Sequence, residues 1–274
     1  MRVRSRVLAA SVVCLLTLSA ACAGSARKAD TERRLLKAKA QIMAADYRAN
    51  LAELARVRDQ MVPLSDDPQW GYLARYWAGF ASWRLAINGV NRGIAPGDVK
   101  AHLERAAIDL DAAINLRDDF ADGYAAAASV NGWLGTMQGG AVAKFRELVT
   151  RARQQLARAK ELAPANPRVV WVESMTLSGT PVAYGGNPER ALQILRQSLQ
   201  VGDFTALPTS PLPDWGKPET LMALAWGNLN AAAPDHVAAK DQAQAALRLQ
   251  PEWFYVREIL LPQIEETQRK AAGG

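Results

Sequence analysis

Apolar and small residues recur at helical spacing along almost the whole chain. Ala152, Leu156 and Ala159 stand at i, i+4 and i+7 among charged and polar neighbours, and Pro164 follows. That is the stripe of an amphipathic helix, ended by a residue that cannot continue it. A second helix opens after Asn166-Pro167, and Gly185-Gly186-Asn187-Pro188 turns the chain into a third. The same spacing predicts a first pair of helices over 30–45 and 47–61, then an aromatic-rich helix over 69–88. Further helices are predicted at 98–116, with Asp98 as N-cap, at 121–137 and from the Gly139-Gly140 break to 162. The last ones fall at 187–201, 217–230, 236–249 and 252–270. No segment alternates apolar and polar residues with β-branched enrichment, so no strand is predicted.

One ladder repeats in the second helix of each pair. It reads Ala106, Leu110, Ala113; then Ala152, Leu156, Ala159; then Ala191, Leu195, Ser198; and finally Ala239, Ala243, Ala246. Asp118, Pro164, Asp203 and Pro251 stand at the stops, and Gly179 and Gly227 lie late in the preceding helices. Small residues let paired helices approach, and a larger one fills the gap between them. With Ala223 and Trp226 ahead of Gly227, the last unit resembles the tetratricopeptide repeat, although Asn230 and Ala243 replace larger residues usual there. The resemblance covers about 30–270. It implies an all-α fold, a right-handed helical-hairpin solenoid with irregular repeats and expanded loops. Pro164-Ala-Asn-Pro167-Arg168, Thr180-Pro181 with Gly185-Gly186, Asp214-Trp215-Gly216 and Leu260-Leu261-Pro262 also resemble a group of bacterial tetratricopeptide lipoproteins. A weaker resemblance is to the T component associated with tripartite periplasmic (TRAP) transporters.

The start of the chain adds a location. Arg2, Arg4 and Arg6 precede an uncharged, mostly apolar run from Val7 to Ala21. This is the pattern of an export signal, too short to span a bilayer as a helix. Leu18-Ser19-Ala20-Ala21-Cys22 resembles the bacterial lipobox, with Ser19 where leucine is usual. The resemblance implies acylation of Cys22 and a plan of signal peptide (1–21), tether (22–29) and repeat domain (30–274). Ala23, in place of aspartate, implies sorting to the outer membrane, facing the periplasm. Cys14 would leave with the signal, so the mature chain forms no internal disulfide. The net charge of +6 would fall with the three arginines. No basic stripe remains to suggest nucleic acid.

Candidate chemistry is sparse. His102 and His236 lie far apart, no metal-ligand spacing exists, and no nucleophile elbow, phosphate loop or dinucleotide fingerprint is present. The reading is therefore non-catalytic, with no cofactor and no metal. Trp70, Tyr72, Tyr76, Trp77, Phe80 and Trp83 crowd one helix, and Tyr76, Phe80 and Trp83 share a face. They form either interhelical packing or an aromatic-lined pocket. The resemblance implies a concave binding groove lined by first helices, with Glu173, Thr176, Thr180 and Asn228 along it and Tyr184 at its edge. Two functions follow. One is a scaffold that binds another envelope protein. The other is a ligand-handling accessory subunit of a TRAP-type uptake system, contacting a periplasmic substrate-binding protein and holding a small-molecule cavity. A closed aromatic cavity favours the second, and an open groove with exposed apolar patches the first.

Overall fold

The computed structural model describes residues 29–273. The signal segment, Cys22 and the tether up to residue 28 lie outside the described residues. Among those described, the chain forms eleven α-helices and no strand. Helix α1 spans 29–47. It is followed by α2 (Leu51–Asp59), α3 (Gly71–Asn91), α4 (Pro96–Leu116), α5 (Ala121–Thr136) and α6 (Val142–Leu162). Then come α7 (Pro167–Gly179), α8 (Pro188–Val201), α9 (Lys217–Leu229), α10 (His236–Leu249) and α11 (Leu261–Gly273).

The helix starts follow local chemistry. Asn50, Asn166, Asn187 and Asp235 each accept a hydrogen bond from a backbone N–H two or three residues on, satisfying one of the orphan donors there. Helix α4 begins earlier than the sequence reading had it. Ala95 is its N-cap and Pro96 its first residue, which leaves Asp98 inside the first turn near the positive end of the helix dipole. Near the C-terminus, Pro262 has no N–H to give and its ring crowds the preceding turn. The backbone widens into a π-helical turn at Tyr255–Leu260 immediately ahead of it.

Successive helices pair as antiparallel hairpins: α3 with α4, α5 with α6, α7 with α8, and α9 with α10. The close approaches use small residues. A Cβ on Gly79 would stand 2.7 Å from Cγ of Leu110, and one on Gly227 would stand 2.6 Å from Cδ2 of Leu192. Gly179 does not serve in this way, contrary to its place in the repeat, because it is the exposed last residue of α7 with nothing within 4 Å of a Cβ. The alanine ladder lies between the helices. Ala106, Leu110, Ala113, Ala159, Ala191, Leu195, Ala239, Ala243 and Ala246 are buried. Ala152 and Leu156 are only half-buried, and α7 packs more on α5 than on α6.

The first helices of the hairpins (α3, α5, α7 and α9) stand side by side as an inner row. The superhelix curves until its two ends touch. Arg48 pairs with Glu252 at 2.5 Å, the Tyr47 and Trp253 rings meet edge-on at 5.1 Å, and the Arg92 guanidinium lies 3.8 Å over the Phe254 ring.

Candidate interaction surface

The concave face is occupied by the protein itself. Leu35, Ala38, Ile42 and Ala45, at i, i+3, i+7 and i+10 of α1, are buried in the same core as the aromatic residues of α3. Around them the rings pack edge to face or tilted. Phe80 lies 5.6 Å from Trp215, Trp83 lies 6.1 Å from Trp171, and Trp171 lies 5.7 Å from Trp215. A buried indole N–H needs an acceptor. Trp77 donates to the Pro211 carbonyl at 2.8 Å, Trp215 to the Tyr76 hydroxyl at 3.0 Å and Trp171 to the Glu219 carbonyl at 3.1 Å. The first two bonds draw the 202–216 loop inward, and Lys39 of α1 fastens it. Its ammonium donates to the Leu207 and Ser210 carbonyls at 3.0 and 3.1 Å and pairs with Asp214 at 2.8 Å.

A buried polar network holds the other end of α1. The Asp46 carboxylate accepts from Arg84 Nε at 2.6 Å and from Asn88 Nδ2 at 2.7 Å. Burial alone would lower the basicity of Arg84, but Asp46 outweighs it and holds the guanidinium above its ordinary value. Tyr47 donates to Glu219 Oε1 at 2.6 Å, while Glu219 Oε2 accepts from the Gly216 N–H at 2.7 Å. Burial pushes the Glu219 carboxyl up, against the opposing pull of the Tyr47 hydrogen bond.

The aromatic crowd of α3 is therefore core packing. Two open concavities lie elsewhere. One of about 440 Å³ is bordered by Asp235, His236 and Gln268, and one of about 270 Å³ lies between α1 and α2.

The residues placed on a groove by repeat register do not form one lining. Glu173, Thr176 and Thr180 share a face of α7, where Glu173 pairs with Lys160 of α6 at 2.5 Å. The threonine hydroxyls donate back to the carbonyls of Val172 and Thr176. Asn228 is buried between neighbouring helices, accepting from Arg196 of α8 at 3.0 Å and donating to Gln242 of α10 at 2.8 Å. On α7 it is Trp171 that reaches the concave side, two residues away from the position assigned to Glu173. Lys39, Trp171 and Trp215 carry the inner face, and register alone did not find them. A lysine inside the apolar stripe of α1 was the available signal for Lys39, and the Asp214-Trp215-Gly216 motif for Trp215.

Tyr184 has a different setting. The turn between α7 and α8 contains a 3-10 segment, Val182–Tyr184, closed by bonds from the N–H groups of Tyr184 and Gly186 to the Pro181 carbonyl, at 2.8 and 3.2 Å. The Asn187 N–H bonds to the Leu177 carbonyl at 2.9 Å. Gly185 is left-handed at φ +96°, and a Cβ on Gly186 would collide with the Thr180 carbonyl. On this fixed backbone Val182 and Tyr184 are each 74 % exposed. In a hairpin solenoid the turns from first to second helices fall along one edge. In the preceding hairpin, the first turn of α6 adds exposed Val142 and Phe145.

No family profile matches the sequence, and no curated protein matches it. The crystal structure of a thermophilic TPR protein from Thermus thermophilus does superpose, with a TM-score of 0.51 at 19 % identity. The match covers 85 % of this chain and 98 % of that one. The fold is a tetratricopeptide solenoid. Its inner face is filled, whereas repeat solenoids usually offer their concave side to ligands. Among the described residues no three His, Cys, Asp or Glu side chains gather as a metal-binding group, and no helix is long and apolar enough to cross a membrane.

Proposed function

We propose that this TPR solenoid is a non-catalytic interaction scaffold that docks an envelope protein through its α7–α8 edge. It faces the periplasm from the outer membrane, to which acylated Cys22 ties it. The observation that carries the reading is the pairing of Val182 and Tyr184, both exposed, on a turn whose backbone is already fixed. Binding there immobilises little more than two side chains, and a preorganised aromatic anchor is a common source of interface energy. The concave face is taken by α1, so docking on the outer edge is consistent with the solenoid keeping its core. A TRAP-type ligand-handling role is the second reading; it would need a small-molecule cavity, and the inner rings are in contact with one another.

The test combines anchoring with docking. Cys22→Ser should abolish incorporation of a fatty-acid analogue, and undiminished labelling would remove the membrane half of the proposal. A photo-crosslinking residue at position 184 should capture one envelope protein that the same residue at exposed Gln154 does not. Tyr184→Ala with Val182→Ala should weaken that complex by more than about 1 kcal/mol. The melting curve of the double variant should match the wild type, because both side chains are outside the core. Equal binding by wild type and double variant would remove this edge.

A further inference from the structure

The 270 Å³ concavity between α1 and α2 brings together cations from two helices. Arg34, Lys37 and Gln41 follow at i, i+3 and i+7 on α1, so they share a face. Arg56 and Gln60 face them from the end of α2. Most basic residues of the described chain have a carboxylate, as Arg33 has Asp30 and Arg58 has Asp59. Within this concavity only Arg56 does, through Glu53. Arg34 and Lys37 have no ion-pair partner among the described residues, and the two glutamine amides add further donors. The site presents excess positive charge, amide N–H groups and open access, which suits a phosphate ester.

Its position supplies the second argument. From Cys22 to the start of α1 at residue 29 there are seven residue steps, which reach at most about 25 Å when fully extended. Lys37 lies eight residues into the helix, about 12 Å further along its axis. An acylated Cys22 would therefore hold these cations within about 37 Å of the headgroup layer, a reach that lets them come within the roughly 8–10 Å over which attraction to anionic lipid acts.

We infer that the α1–α2 concavity is a contact site for the phosphates of anionic membrane lipids, orienting the solenoid on the bilayer that carries it. This rests on the lipid-anchor reading of Cys22, so the experiment is run without the lipid. Residues 22–274 carrying Cys22→Ser contain the whole packed core described above. They should co-sediment with vesicles of phosphatidylglycerol and phosphatidylcholine, and far less with phosphatidylcholine alone. Arg34→Glu with Lys37→Glu should lower the apparent affinity by more than about thirtyfold, since each change removes a cation worth about 1 kcal/mol near an anionic surface and adds a repelled carboxylate. Arg146→Glu with Arg153→Glu makes the same change in charge on the exposed face of α6 and should leave affinity within about twofold of wild type. Should the first pair disturb the fold by circular dichroism, Arg34→Gln with Lys37→Gln replaces it, and the loss should then be about thirtyfold, at about 1 kcal/mol for each basic residue removed from an anionic surface. Equal association with both vesicle types would overturn the inference, as would equal losses in the two double variants. Binding of inorganic phosphate by titration calorimetry without vesicle association would assign the concavity to a free anion and overturn the membrane contact.

Discussion

The inner face and the α7–α8 turn use similar residues to opposite ends. Around α1, Trp83, Trp171 and Trp215 pack on one another, and the Trp171 and Trp215 indole N–H groups reach acceptors within the chain. At the turn, the backbone is equally well bonded, yet Val182 and Tyr184 stand clear of the protein. In both places the chain has settled its polar backbone groups. The difference is whether it also supplies a cover for the apolar side chains. Where it does, aromatic residues stabilise the fold. Where it does not, they remain available to another molecule.

The largest effect should come from the covered side. Trp215→Ala removes a ring that touches Phe80, Trp83 and Trp171, and should cost about 3–5 kcal/mol in urea denaturation. A cost below about 1 kcal/mol would mean that the inner face is not part of the core. A smaller, pH-dependent effect is expected at Glu219. Its carboxyl is held above the ordinary value of 4.5, so the fold favours the protonated acid. The stability it contributes is complete below the unfolded value and is lost as pH rises through the raised one. Glu219→Gln keeps a neutral group that can still accept from Gly216 and donate to Tyr47. It should therefore gain on the wild type progressively as pH is raised from about 4.5. Urea denaturation across that range gives the sign, and a gap that narrows with rising pH would contradict the assignment. The smallest effect belongs to the exposed side. Gly179→Ala meets nothing within 4 Å and should shift stability by no more than about 0.5 kcal/mol. A larger loss would show that the end of α7 is more tightly covered than the inner comparison implies.

Much of the hairpin architecture could be read from residues that act locally. Proline stops and the ladder Ala239, Ala243, Ala246 declare themselves over a few turns of helix, because helix termination and close approach are short-range requirements. The destination of α1 could not be read that way. Leu35, Ala38, Ile42 and Ala45 make an ordinary apolar stripe, and such a stripe says that something covers it without saying what. The answer depends on Lys39 meeting Asp214, a partner far along the sequence. The groove residues were misplaced for a related reason. Repeat position alone does not say which helices flank a side chain: Asn228 turns toward Arg196 and Gln242, while Trp171 takes the inward position. The turn that carries Tyr184 could be read from two prolines and two glycines, which limit and bend the backbone there.

The contact between the two ends of the superhelix, through Arg48 with Glu252 and Arg92 over Phe254, bears on how such a chain can change over generations. Repeat arrays ordinarily lengthen or shorten by duplicating or deleting a unit, because each unit touches only its neighbours and the ends stay free. Here a gained or lost hairpin would carry Glu252 and Phe254 away from the residues they meet and leave α1 in a space of the wrong size. A change in hairpin number would therefore cost these contacts, whereas changes in the loops and the outward-facing side chains would leave them in place.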